Sequence, residues 1–238
     1  LGREYFLLQV SKLRLCFLVT LLLFFGISGI QAQNANLYAF STNNTGSMVL
    51  DRNGNTVTMS SGTTQLIGAS QDDVASSVTN IGFSFNFMGA SFTQFSASSN
   101  GALRLGGTAI GNLTIGTSFP LNNQSIIAPY LQDIETNSTG KVHYRLVGTS
   151  PNRTLVVEFL NMRINFNSTT PDATFQVRLY ESTNIVEYVY GLMAVGSTST
   201  AGSTTSDARS AIIGFCNDND ANEEISVNQS TYATTTNS

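Results

Sequence analysis

From Ile81 to Phe87 the chain alternates without a break. Ile81, Phe83, Phe85 and Phe87 fall on one side, Gly82, Ser84 and Asn86 on the other. A period of two is that of an extended strand, so this segment predicts a strand with one face buried and one face wet. Similar short segments, rich in Phe and Val and broken by Gly, Asn, Ser and Pro, continue to Gly191. No window sustains the 3.6-residue period of a helix.

Further strands are expected at Phe92 to Ala97 and Ala102 to Leu105. Ser98-Ser99-Asn100-Gly101 joins them, and Asn-Gly between strand residues is a strong hairpin signal. Val142-Tyr144-Leu146, Leu155-Val157-Phe159 and Phe175-Val177-Leu179 each form an inward-facing set, and Ile185 to Tyr190 closes the series. With Ser182 and Thr183 at a hairpin tip, Tyr180 pairs with Ile185 and Arg178 lies opposite Glu187. Opposite charges facing each other favour that register by about 0.2–1 kcal/mol. Leu37 to Phe40, Ser47 to Asp51 and Thr56 to Met59 read as short early strands around Asn53-Gly54-Asn55.

About a dozen short strands imply an all-β fold, an antiparallel β-sandwich of jelly-roll or Greek-key type, with a closed barrel as the alternative. Gly196 to Ser206 reads as a long surface loop before a last strand at Ala211 to Phe215.

The first 32 residues stand apart. Arg3, Lys12 and Arg14 precede an apolar run from Leu15 to Ile30, followed by Gln31-Ala32. A basic n-region, an apolar h-region and a small residue at the cut predict a signal peptide over 1–32, cleaved after Ala32. The alternative is a retained anchor, although a membrane span needs about 20 apolar residues. Residues 33–228 are then the sandwich domain, and 229–238 a tail or the start of a linker to further modules of a longer chain. The expected location is secreted or on the outer cell surface.

Without the signal the chain keeps eight basic and fourteen acidic side chains, a net charge near −6, and Lys141 is its one lysine. Nucleic acids are bound by clustered Lys and Arg, so this balance excludes them as partners and disfavours an anionic membrane surface. Cys16 leaves with the signal and Cys216 remains alone, so the core must supply the stability. About 200 residues suffice for that. At the end of Ala211-Ile212-Ile213-Gly214-Phe215, Cys216 reads as a small buried apolar residue.

Several of these segments recur in order: Gly82-Phe83-Ser84-Phe85-Asn86-Phe87, Ser98-Ser99-Asn100-Gly101, Ile127-Ala128-Pro129-Tyr130 with Asp133, and Pro151-Asn152-Arg153. Phe175 to Glu181 and Ile185 to Tyr188 complete the series. Together they resemble an N-terminal β-sandwich module of secreted Bacteroidetes surface proteins, distantly similar to the nidogen-type extracellular domain, over about residues 36 to 227. The resemblance implies adhesion or surface architecture and no shared catalytic site. Such domains often carry Trp near the positions of Leu131 and Phe159; this chain has none.

Chemistry-bearing residues are few. His143 is the one histidine, so a Ser-His-Asp triad must run through it. It lies opposite the apolar set of its strand and no Gly-x-Ser-x-Gly motif accompanies it, so a sheet-face or solvent-facing role is expected. Asp133 and Glu135 lie two apart and face one way on an extended chain, as a glycosidase pair or a cation site requires, or as a polar loop presents them.

Asp218, Asp220 and Asn222 match positions 1, 3 and 5 of an EF-hand loop. Glu223 stands where that loop needs Gly, and Gln229 where it needs Glu. They are the candidate Ca²⁺ ligands. Pro151-Asn152-Arg153 is expected to be a turn whose Arg pairs with a carboxylate.

The function expected is that of a non-catalytic extracellular binding or structural module with a protein or glycan ligand. A carbohydrate-binding sandwich, with Tyr130, Tyr180, Tyr188 and Tyr190 as stacking surfaces, is the alternative. A secreted glycoside hydrolase stands behind both.

Overall fold

The computed structural model describes residues 38–111, 124–164, 171–193 and 211–217, together with the backbone of 224–226. All belong to the second of the two units into which the chain divides, Gln33–Ser238. The signal-peptide segment, the Gly196 to Ser206 loop and the Asp218, Asp220, Asn222 set lie outside the described residues.

Among the described residues are eleven strands: β1 (Thr64–Ile67), β2 (Thr79–Phe87), β3 (Ala90–Ser98), β4 (Ala102–Leu105), β5 (Ile126–Leu131), β6 (Glu135–Val147), β7 (Thr154–Arg163), β8 (Ala173–Tyr180), β9 (Val186–Met193), β10 (Ile212–Cys216) and β11 (Glu224–Ser226). They form a five-stranded sheet, β1-β6-β7-β8-β9, and a six-stranded sheet, β11-β10-β5-β4-β3-β2. All pairings are antiparallel. The fold is the all-β antiparallel sandwich that the alternation implies. Among the described residues no helix is long and apolar enough to cross a membrane.

The main core lies between the sheets. Ile81, Phe83, Phe85 and Phe87 of β2 are all buried, as the period of two requires, beside Phe95, Leu103 and Ile127. From the opposite sheet come Val142, Leu155, Val157, Phe159, Phe175, Val177 and Leu179. Phe159 and Phe175, a cross-strand pair, stack with ring centroids 4.8 Å apart. Burying a side chain of this size contributes roughly 1.5–3 kcal/mol, so this layer dominates the stability.

The β3–β4 hairpin turns at Ser99-Asn100-Gly101. Gly101 has φ +76°, and a Cβ there would lie 2.0 Å from the Tyr130 carbonyl oxygen, so both conformation and space demand glycine. The β8–β9 hairpin has the expected register: Arg178 opposes Glu187, and the Tyr180 N–H donates to the Ile185 carbonyl.

Two expectations need correction. Residues 38–59 hold no strand; from Ser47 on they run as a strap with a single β-bridge, Leu50 to Thr56, closed by a tight turn over Asp51–Asn55. Asp51 fixes that turn by accepting from the Asn55 backbone and side chain, so local polar bonds replace a ladder. Leu146 is exposed rather than inward, while Val142 is buried and Tyr144 partly so. Two strands add to the expected set, and of these β1 carries no alternation that marks it. And Ile126 to Leu131 is a strand despite Pro129: the β10 register shifts between Ile212 and Gly214, opposite Pro129, so the missing N–H falls at a bulge.

Candidate functional site

Side chains on the outer face of the five-stranded sheet are largely buried, because the strap of residues 47–63 lies across them. His143 of β6 opposes Glu158 of β7, which opposes Gln176 of β8. The three form a row across the sheet. His143 Nε2 lies 2.8 Å from Glu158 Oε2, and its Nδ1 lies 2.9 Å from the Thr63 hydroxyl. Gln176 Nε2 donates to Glu158 Oε1 at 2.8 Å, and Gln176 Oε1 accepts from the Arg178 guanidinium.

The row continues into the strap. Arg178 donates to the carbonyls of Leu50 (2.9 Å) and Ser47 (2.6 Å), and Gln176 to that of Met48. Tyr180 donates to Glu187 Oε2 at 2.6 Å and accepts from the Arg52 N–H. Burial, above all, pushes the Tyr180 phenol up. Thr154 donates to Asp51, which ties the strap's turn to β7. Val57, Met59, Val147 and Val156 make a small apolar cluster under the strap.

His143 therefore occupies the sheet-face position expected of it and is fully buried, not solvent-facing. With Thr63 on one ring nitrogen and Glu158 on the other, it shows a hydroxyl–imidazole–carboxylate chain. Acyl transfer also needs a nucleophile presented to substrate and donors for an oxyanion. Here the Glu158 carboxylate is shared with Gln176 under the strap, so the chain of bonds reads as a lock on the sheet's outer face.

A second polar assembly lies where three connections meet: residues 68–78 between β1 and β2, the β3–β4 turn, and Gln132–Ile134 between β5 and β6. The first is clamped on both sides. Val74 and Ser99 exchange bonds through the Val74 N–H, the Ser99 hydroxyl and the Ser99 N–H. Gln71 and Thr136 do the same on the other flank.

This junction brings one carboxylate oxygen each from Asp72, Asp73 and Asp133 within 4.8 Å of one another. Asn100 Nδ2 donates to Asp73 Oδ1 at 2.9 Å. Burial first, then the charges of Asp73, Asp133 and Glu135, push the Asp72 carboxyl above its usual range. Glu135 itself is ion-paired with Arg163, so it is not free to act with Asp133 as a hydrolytic pair.

The remaining expected residues fall as follows. Arg153 pairs with Glu181, as a turn arginine should, and also donates to the Gly82 carbonyl; the Ser150–Pro151 peptide is cis. Arg153, through its hydrogen bonds, holds the Glu181 carboxyl down to about 2. Cys216 is buried in a small core with Ile126, Ala128 and Ile212.

The tyrosines do not form a stacking platform. Tyr180 is 2% exposed, Tyr188 donates to the Gly214 carbonyl, Tyr130 packs against Phe175, and Tyr190 donates to the Pro129 carbonyl. Leu131 and Phe159 are core residues.

Two antiparallel sheets packed face to face, with a buried polar row behind one of them, define an all-β sandwich module. The family model described as NIDO related, that is nidogen-related, matches residues 49–238, and the chain belongs to that family. Domains of this family are typically extracellular and of a non-enzymatic type. No curated protein and no solved structure matches the chain.

Proposed function

We propose that this chain is a non-catalytic module of a secreted or cell-surface protein, serving adhesion or surface architecture through an extracellular protein or glycan ligand. Membership of the NIDO-related family over residues 49–238 carries the reading. The geometry supports it: the sole histidine and its carboxylate partner are bonded beneath the strap, and Glu135 is bonded to Arg163. The exposed face of β2, with Asn80, Ser84 and Asn86, is polar and uncharged, which suits a surface meeting extracellular partners. The order of motifs supports reading it as a module at the N-terminal side of a secreted Bacteroidetes surface protein, with other modules following.

The test is solid-phase binding of the purified protein to a panel of immobilised extracellular proteins, run beside a glycan array and a polysaccharide hydrolysis assay. Saturable binding to a protein or glycan surface with no sugar release is the expected result. Sugar release that disappears in an Asp133→Asn variant overturns it.

A further inference from the structure

The acidic junction has a property that a solvated turn lacks: its members are held together against their repulsion. Asp72 and Asp73 sit on a connection bonded to β6 on one flank and to the β3–β4 turn on the other. Asp133 belongs to a turn whose Gln132 N–H donates to the Asn100 carbonyl and whose Gln132 side chain accepts from the Asp133 N–H. The charged groups that act on Asp72 are all acidic, and Arg163 is engaged by Glu135.

A second observation points the same way. Asn100 is fully buried, and its Oδ1 has no hydrogen-bond partner. Its Nδ2 donates to Asp73 Oδ1 at 2.9 Å, so the amide that carries the orphaned oxygen touches a member of the cluster. Leaving such an acceptor unmet costs about 1–3 kcal/mol, so an orphan on an amide bonded to one of three clustered carboxylates calls for a positive partner.

We infer that Asp72, Asp73 and Asp133, with Asn100 Oδ1 beside them, form a Ca²⁺ site. The donors are all oxygen, which selects a hard cation over zinc or copper. Ca²⁺ takes oxygens at 2.3–2.6 Å, so ligands on opposite sides of the ion stand about 5 Å apart, and the three carboxylate oxygens fall within that span. Mg²⁺ demands a smaller, near-ideal octahedron that three ligands from two irregular connections do not offer. Water completes the shell, because Asp72 and Asp73 are exposed. A site of this openness belongs with extracellular modules that bind Ca²⁺ at about 10⁻⁴–10⁻³ M, which matches the medium such a module meets. The ion would pin together three connections from both sheets, so it would act as a clasp on one end of the sandwich.

The experiment is calorimetric titration of the purified protein with CaCl₂ and thermal melting in CaCl₂ or EDTA. The variants are Asp133→Asn, Asp72→Asn and the double variant Asp218→Asn/Asp220→Asn. The expected result is sub-millimolar to millimolar binding and a melting rise with Ca²⁺ that EDTA reverses. Both should be lost in Asp133→Asn and Asp72→Asn and kept in the double variant. Removing one of three like charges should also raise the melting temperature of Asp133→Asn in EDTA, a sign that a merely damaged turn would not give. Absence of heat and of any melting shift in the folded parent overturns the site. So does binding that survives in Asp133→Asn or vanishes in the double variant.

Discussion

The two sheets cover their outer faces by opposite means. Behind the five-stranded sheet lies a connected set of buried polar groups, from Thr63 through His143, Glu158 and Gln176 to Arg178, bonded to the strap. Behind the six-stranded sheet lies a small apolar cluster of Ala102, Ile126, Ala128, Leu131, Ile212 and Cys216, capped by Ile110. Ile110 is tied down by one bond, its N–H to the Ser96 hydroxyl. Apolar contact is non-directional and tolerates small changes of shape. A buried polar set is satisfied in one arrangement only, and every missing partner leaves a desolvated group behind. The first cover thus fixes strand register and strap position, whereas the second mainly excludes water.

Four measurements would break or sharpen that contrast. Arg178→Ala removes the donor to two strap carbonyls and to Gln176, and strips the buried partner from Glu187. Breaking buried ionic contacts of this kind costs about 3–5 kcal/mol. Urea denaturation should show that loss, with the strap becoming protease-sensitive. A loss below 1 kcal/mol would reduce the polar set to ornament.

Tyr180→Phe leaves the Glu187 carboxylate and the Arg52 N–H without the phenol, at a cost of about 1–3 kcal/mol. The phenol's pKa is raised in the folded state. Its contribution is therefore complete below the ordinary value near 10 and is lost as pH climbs above it. The variant should accordingly show a flatter alkaline limb than the parent in a pH-dependent melt.

On the apolar side, Ile126→Val should cost about 0.5–1.5 kcal/mol with no change in protease pattern. A cost equal to that of Arg178→Ala would erase the distinction between the faces.

Glu181→Gln touches neither cover. The folded carboxyl sits near 2 against an ordinary 4.5, so its contribution is present above about pH 4.5 and is lost as pH falls toward 2. The parent and variant should differ slightly at pH 6 and converge in acid. The pair is partly exposed, and this is the smallest effect of the four.

Much of the sandwich was legible because its rules are local. The alternation of Ile81 to Phe87, the Asn100-Gly101 turn and the Arg178–Glu187 register each depend on residues a few positions apart. What covers a sheet's second face is decided at long range. His143 has the polar company expected of a surface residue until residues 47–63, some eighty positions earlier, fold over it.

The early segments misled for a related reason. The carbonyls of Ser47, Met48 and Leu50 are taken by side chains of the sheet beneath, with no neighbouring strand to pair with. Asp133 was visible as an acid two positions from Glu135. Its partners in space are Asp72 and Asp73, sixty residues away, while Glu135 is drawn to Arg163. The adjacent Asp72-Asp73 pair was the one signal for that junction in the sequence.

The strap is gripped through its main chain. Arg178 and Gln176 take the carbonyls of Ser47, Met48 and Leu50, and the Val57 N–H takes that of Val49. A carbonyl is present whatever amino acid occupies the position, proline included, and the side chains of Val49 and Leu50 point outward, 66% and 50% exposed. The sheet thus holds a ribbon whose lettering it does not read. Residues 49 and 50 are free to drift between homologues, or to accept a dye, while the docking beneath them stays the same.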